Sequence, residues 1–346
     1  MTPSPDTALA WQGELALLCT GRREETPDTA SFVLRRPDGA LFSFLPGQFI
    51  SVAATVDGRT LWRAYSISSS PAQPESLTIT VRRVDGGRVS NWLLDHLQTG
   101  MTLPALAPAG DFALRPGAPP SDLVLLSSGC GITPMRSITR WLLDTGATTN
   151  IHFIHSARDE DHFIFRDELQ TLAEQHPRLR LHGFLSQPKG GVPCHRGRLD
   201  AARLHALLPP ASAARAYLCG QSAYMEDVAN WLREAGFAEE AIIREDFAPI
   251  HRDATASGEH FRLDVPGFGR STGIAAGELL LDALEREGFP IIGACRTGVC
   301  GACKCKLIEG RVDSASALPL TPEDQAAGYV LACSSRAISD LAVELG

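Results

Sequence analysis

The sequence lacks the features that would place it at a membrane, outside the cell or on nucleic acid. No apolar run approaches the roughly 20 residues needed to span a bilayer. The opening "MTPSPDTALAWQGELALLC" has no basic stretch ahead of an apolar core, so no export signal is expected, and residues 1–10 read as a short polar tail. Basic residues are in the minority, 32 Lys and Arg against 40 Asp and Glu, and a net charge of −8 argues against a nucleic-acid binder. Internal repeats and low-complexity tracts are also missing. The nine cysteines are odd in number and irregularly spaced. Without an export signal they are expected to be ligands, catalytic groups or buried apolar side chains instead of disulfides, in a cytoplasmic protein.

What is present is an ordinary globular composition, 44% hydrophobic and 21% charged, over 346 residues. That length predicts two or three domains, and the chain divides at two polar linkers into residues 1–117, 118–250 and 251–346. In the first part, "SFVLRRPDG", "QFISVAATVDG", "AYSIS" and "SLTITVRRVDGG" alternate like antiparallel strands separated by Gly and Pro turns, which predicts a small antiparallel β-barrel. A helix is expected over "SNWLLDHLQTG", with Ser90 as its N-cap. After the linker "RPGAPPSD", buried-looking strands alternate with helices from "LVLLSSG" to "SAYMEDVANWLREAG", the rhythm of a doubly wound parallel α/β sheet. A second linker, "HRDATASGEH", leads to a compact α+β end.

That end carries the most specific signal in the chain. Cys295-x4-Cys300-x2-Cys303, followed by the distant Cys333, matches the plant-type spacing of four thiolates around a [2Fe–2S] cluster. Gly293, Gly298 and Gly301 let the loop wrap tightly. Zinc is the competing reading, but structural zinc sites use C-x2–4-C pairs at both ends, and here three cysteines crowd one loop. Cys305 falls outside the pattern and is expected to be a strand residue. The strand, helix, loop and strand resemble the β-grasp ferredoxin module.

Two further motifs lie in the first part. "RAYSISS" (63–69) resembles the Arg-x-Tyr-Ser signature of ferredoxin-NADP reductase-type flavoproteins, and "VRRVDGGRVSNWL" (81–93) is similar to that family's second flavin element. The resemblance implies FAD bound by Arg63, Ala64, Tyr65, Ser66, Gly86, Gly87, Val89 and Ser90. Arg63 would meet phosphate, Tyr65 the isoalloxazine and Ser66 the N5 edge. Helix amides near Ser90 would take a pyrophosphate, which favours FAD over FMN. Taken singly, each motif is also readable as an ordinary strand or turn.

In the second part, Gly129, Gly131, Thr133 and Pro134 of "SGCGITPM" form a glycine turn between strand and helix, suited to a dinucleotide pyrophosphate. Pro134 replaces the third glycine of the usual pattern, as it does in the same family. By resemblance, Cys219 and Gly220 lie near the nicotinamide, and Glu245 and Phe247 of "REDF" lie near the flavin. The catalytic candidates are therefore Ser66, Cys219 and Glu245. Cys219 and Cys130 also read as plain buried cysteines. Only Lys189 marks the strand end "FLSQPKGG", and Arg158 is crowded by Asp159, Glu160 and Asp161, which favours NADH over NADPH. His152, His155 and His162 form no metal constellation; on a strand, His152 and His155 face opposite sides.

These elements predict an NADH oxidoreductase that passes electrons from NADH to FAD to a [2Fe–2S] cluster and on to a protein acceptor. The whole chain looks most like reductases that serve hybrid-cluster protein, with the reductase component of a Rieske-type oxygenase or demethylase as the alternative. A zinc-stapled binding module and an iron–sulfur redox sensor are the readings from other classes. Residues 258–346 hold twelve Asp and Glu against eight Lys and Arg, so a basic docking face is expected on the acceptor.

Overall fold

The computed structural model describes residues 11, 13–115, 117, 120–247 and 258–345. The expected tail at 1–10 and most of the second linker lie outside the described residues, as do 116, 118 and 119 of the first. The chain divides into two compact units, Met1–Gly58 with Tyr65–Phe247, and Arg59–Ala64 with Ala248–Gly346.

Antiparallel strands come first: β1 (Glu14–Thr26), β2 (Thr29–Arg35), β3 (Phe49–Val56), β4 (Arg59–Ser66), β5 (Leu77–Arg82) and, after helix α1 (Arg88–His96), β6 (Thr102–Leu106). Their order is β4-β3-β6-β1-β2-β5, and Ile67, just past β4, bridges Ile79 of β5, which closes the sheet into a barrel. Every second side chain points inward, so Leu17 and Cys19, Phe32 and Leu34, Leu77, Ile79 and Val81, and Leu103 and Ala105 are all fully buried. Helix α1 begins three residues earlier than expected. Gly87 is its N-cap, in extended backbone, and no side chain caps the first turn. Ser90 instead turns its hydroxyl to Asn91.

The second layer is a parallel sheet in the order β10-β9-β8-β7-β11-β12. Its elements are β7 (Asp122–Ser128), α2 (Ile132–Asp144), β8 (Asn150–Ala157), α3 (Arg166–Gln175), β9 (Leu179–Leu185) and β10 (His195–Arg196), then α4 (Ala201–Leu207), β11 (Ala214–Gly220), α5 (Ser222–Glu234) and β12 (Ile242–Asp246). Helices cover both faces, which is why "LVLL" at 123–126 is apolar on both sides. Leu123 and Leu125 join one core with Phe153 and Met135, while Val124 and Leu126 join the other with Leu218 and Val228. Strand order reverses at β7, and that reversal opens a crevice beyond the carboxyl ends of β7 and β11.

The second unit is built from β13 (His260–Val265), β14 (Arg270–Ala275), α6 (Leu280–Arg286), β15 (Lys304–Glu309), β16 (Val312–Ser314), α7 (Pro322–Ala326), β17 (Tyr329–Leu331), β18 (Ser335–Ala337) and β19 (Leu341–Leu345). Five strands form a mixed sheet, β14-β13-β19-β15-β17, with α6 packed on it through Leu280, Leu281, Ala283 and Leu284. Among the described residues, no helix is long and apolar enough to cross a membrane.

Candidate functional site

The crevice at the strand reversal collects most of the predicted nucleotide residues. Gly129, Cys130 and Gly131 form a single 3-10 turn between β7 and α2. Gly129 takes φ +53°, and a side chain on Gly131 would strike the backbone carbonyl of Cys219. Glycine therefore lets the loop rest directly on the end of β11. Thr133 donates from its hydroxyl to the Cys130 carbonyl at 2.9 Å, and Pro134 occupies the first turn of α2, whose N-terminus no side chain caps. Gly220 is equally confined, against the Ser128 hydroxyl.

Beside this loop, β11 and β12 run parallel with Cys219 opposite Glu245. Cys219 is fully buried, and Glu245 is half-buried with its Oε2 enclosed. Burial pushes the Cys219 thiol well above its ordinary value, helped by the nearby Glu245 carboxyl. Burial also lifts Glu245 to about 8, and the Ser66 hydroxyl opposes that rise. Ser66 approaches without reaching hydrogen-bonding geometry: its Oγ and Glu245 Oε2 are buried and unpartnered. Cys219, Glu245 and Ser66, predicted from three separate motifs, are thus brought together where barrel and parallel sheet meet. Phe247 follows at 45% exposure, open to solvent or a ligand. Cys130 has its thiol pushed up to about 11 by burial, as suits an inert side chain.

On the barrel, Arg63 Nη1 donates to the Trp62 carbonyl at 2.6 Å, and Ala64 and Tyr65 are half-buried beside it in β4. Gly86 takes φ +67°, and a side chain on Gly87 would run into Ser90 Oγ. Val89 and Ser90 are buried on α1, whose first turn carries neither a cap nor an acidic side chain. Open amides and a glycine cradle at α1, together with orphaned polar atoms at Ser66 and Glu245, suit a flavin dinucleotide.

Sequence reasoning missed a second orphaned pair. Tyr224 of α5 and Ser156 at the end of β8 bring their hydroxyls close together, buried and without a well-formed hydrogen bond. Position was the available signal, since both residues fall at or just beyond carboxyl ends of parallel strands. His152 pairs with Asp122, His155 bonds Ser127 on the opposite face, and His162 caps back to Asp159.

In the second unit the cysteine loop folds through three left-handed residues, Arg296, Gly298 and Gly301. Arg296 is pinned to α6 by Asp282 at 3.2 Å and by Glu285. Cys295 contacts Cys300 and Cys333, and its thiol is lowered by their hydrogen bonds. Cys303 contacts Cys333 and is lowered likewise, while Cys300 and Cys333 are raised. Backbone amides aim at the sulfurs, Thr297 at Cys295 at 3.5 Å and Cys333 at Cys303 at 3.4 Å. Among the described residues, no group of three or more His, Cys, Asp or Glu is arranged to hold one metal ion. The four thiols instead fall into two touching pairs joined by a third contact. Cys305 is a core residue of β15, paired with Val330 and Leu345, its thiol pushed up to about 12 by burial.

Comparison with known proteins matches this geometry part by part. Residues 18–114 match the oxidoreductase FAD-binding domain, 125–230 the oxidoreductase NAD-binding domain, and 264–337 the 2Fe-2S iron-sulfur cluster binding domain. The glycine betaine monooxygenase reductase subunit of Chromohalobacter salexigens is 34% identical, over 99% of this chain and 98% of that protein. The NADH oxidoreductase HCR of Escherichia coli is 33% identical, over 92% and 94%. Among solved structures, phthalate dioxygenase reductase, described as a modular structure for electron transfer from pyridine nucleotides to [2Fe-2S], superimposes with a TM-score of 0.67 at 25% identity. That match covers 99% of this chain and all of the other. The chain therefore belongs to the ferredoxin-NADP reductase-type flavoproteins with a C-terminal [2Fe–2S] domain, an oxidoreductase that uses FAD, a nicotinamide dinucleotide and an iron–sulfur cluster.

Proposed function

We propose that the chain is the reductase component of a Rieske-type oxygenase, taking electrons from NADH and delivering them to an oxygenase that acts on a small betaine. The observation that carries the electron-transfer reading is the buried meeting of Ser66, Cys219 and Glu245. FAD, held by Arg63, Tyr65, Ser66 and the α1 glycine turn, would supply the chemistry that couples a two-electron hydride donor to a one-electron cluster. Ser66 and Glu245 supply a hydroxyl and, at neutral pH, a protonated carboxyl at one end of the crevice. Cys219 stays a neutral thiol there. Gly129, Gly131, Thr133 and Pro134 bind the dinucleotide, and Gly86, Gly87, Val89 and Ser90 the flavin pyrophosphate. Cys295 with Cys300, and Cys303 with Cys333, would each hold one iron, and two pairs suit two irons better than one.

NADH is favoured because the cation beside β9 is already neutralised. Lys189 Nζ pairs with Asp161 at 2.5 Å and Asp159 at 3.5 Å, and the Glu160 carboxylate accepts the Lys189 and Gly190 amides at 2.8 Å each. An extra phosphate would meet three carboxylates there. The oxygenase assignment departs from the first choice of acceptor made from sequence, hybrid-cluster protein. It is supported by the betaine monooxygenase reductase relative, which matches 99% of the chain, whereas the HCR relative matches 92%. A cytoplasmic location, where thiols stay reduced, fits this role.

Cys300→Ser provides the test. It is expected to abolish NADH-driven turnover of glycine betaine by the partnered oxygenase while leaving NADH-driven ferricyanide reduction intact. Loss of both activities in a folded, FAD-loaded variant would contradict the relay order. Efficient reduction of hybrid-cluster protein, with no transfer to the oxygenase, would return the assignment to the other acceptor.

A further inference from the structure

Two side chains on the helix after the dinucleotide loop reach across to the barrel. Arg136 donates from Nη1 to the Ser68 carbonyl at 2.5 Å, and Ser137 donates from Oγ to the Ser69 carbonyl at 2.7 Å. On the barrel side these carbonyls come immediately after Ser66 and Ile67. On the other side, Arg136 and Ser137 come immediately after Pro134 and Met135. One pair of hydrogen bonds therefore ties the two segments that flank the crevice.

The guanidinium is held from behind. Its Nε bonds both Glu168 oxygens, at 3.1 and 3.0 Å, Nη2 lies 2.9 Å from Oε1, and the Phe165 ring stacks 4.7 Å below. Arg140 at 3.9 Å and, from β1 of the barrel, Arg23 at 3.7 Å also face Glu168. An exposed ion pair contributes little. This one is forked, only 15% and 20% exposed, and ties α2 to α3, while Arg23 of β1 links the same carboxylate to the barrel within one compact unit.

We infer that Arg136, fixed by Glu168, and Ser137 are positioning residues for hydride transfer. They set the spacing between the Gly129–Pro134 loop and Ser66. The inference rests on the reading that these two segments carry the nicotinamide and the flavin edge. Transfer between two bound rings is steep in distance, and a misplacement of about 1 Å costs on the order of 100-fold. Neither residue needs to touch a ring to control the rate.

The experiment uses the FAD-loaded full chain with Arg136→Ala, Arg136→Lys, Glu168→Gln, Ser137→Ala and Ser66→Ala. Flavin bleaching at saturating NADH is followed by stopped flow, with NADH affinity by titration and hydrogen exchange over residues 66–70. Arg136→Ala should slow bleaching by about 10-fold or more with FAD content and NADH affinity kept within about twofold, while exchange at 66–70 rises. Lysine at 136 keeps the charge without the fork and should restore only part of the rate. Wild-type bleaching in Arg136→Ala, or slowing that tracks FAD loss with unchanged exchange, would overturn the inference. Should that variant not fold, Ser137→Ala removes a single hydrogen bond and should still slow bleaching several-fold; an unchanged rate there overturns it as well. Ser66→Ala bleaching at the wild-type rate, beside a slowed Arg136→Ala, would count against the role of Ser66 and leave the latch standing.

Discussion

Glu245 ends the parallel sheet with a carboxyl that burial holds protonated to about pH 8, against an ordinary value of 4.5. Between those two values the folded chain keeps a proton that the unfolded chain has released. Stability therefore falls as pH rises through that window and levels off above it. Glu245→Gln removes the titration. The stability of the wild type relative to Glu245→Gln is expected to drop by on the order of 2–4 kcal/mol between pH 5 and pH 8, read from thermal melts. A difference that stays flat across that range would show that the carboxyl is not desolvated. The sequence located this residue only through its place in "REDF", because nothing local distinguishes a buried glutamate from the solvated Glu239 and Glu240 before it. The [2Fe–2S] domain was legible from the cysteine spacing, and Cys305, outside that spacing, lies in the core of β15. Arg136 was not, because its partners are backbone carbonyls distant in sequence.

At the scale of elements, the clearest signals came from strands and helices buried on one whole face. The apolar run 123–126 and the helices after it lie where their patterns predict. Strand β1 was missed because "GRREET" ends it in charge and a bulge between Cys19 and Gly21 interrupts its alternation. Strand β14 is an edge strand hairpinned to β13, and β19 is a short segment whose partners β13 and β15 come from far along the chain. Helix α1 is capped by Gly87 and not by Ser90: the glycine lies in extended backbone and leaves the first amides without a side-chain partner. The loop-to-β11 contact is the element-scale feature most open to test. Gly131→Ala would force α2 away from the Cys219 carbonyl. It is expected to raise the KM for NADH about 10-fold or more while FAD stays bound. An unchanged KM would mean that the close approach plays no part in dinucleotide binding.

Across the whole molecule, the chain strings together two modules that meet at a buried carboxyl and a third that gathers four thiols. A barrel with an open helix end and a parallel sheet with a glycine turn at its reversal share one compact unit, and a ferredoxin-like sheet has a core of its own. Together they describe a converter from paired to single electrons, and the order of events is its defining property. The most direct test mixes the anaerobic protein with excess NADH and follows flavin and cluster absorbance separately. Flavin bleaching should come first and the cluster should follow, and removing FAD should stop both. A cluster that NADH reduces equally fast in the FAD-free protein would contradict the account.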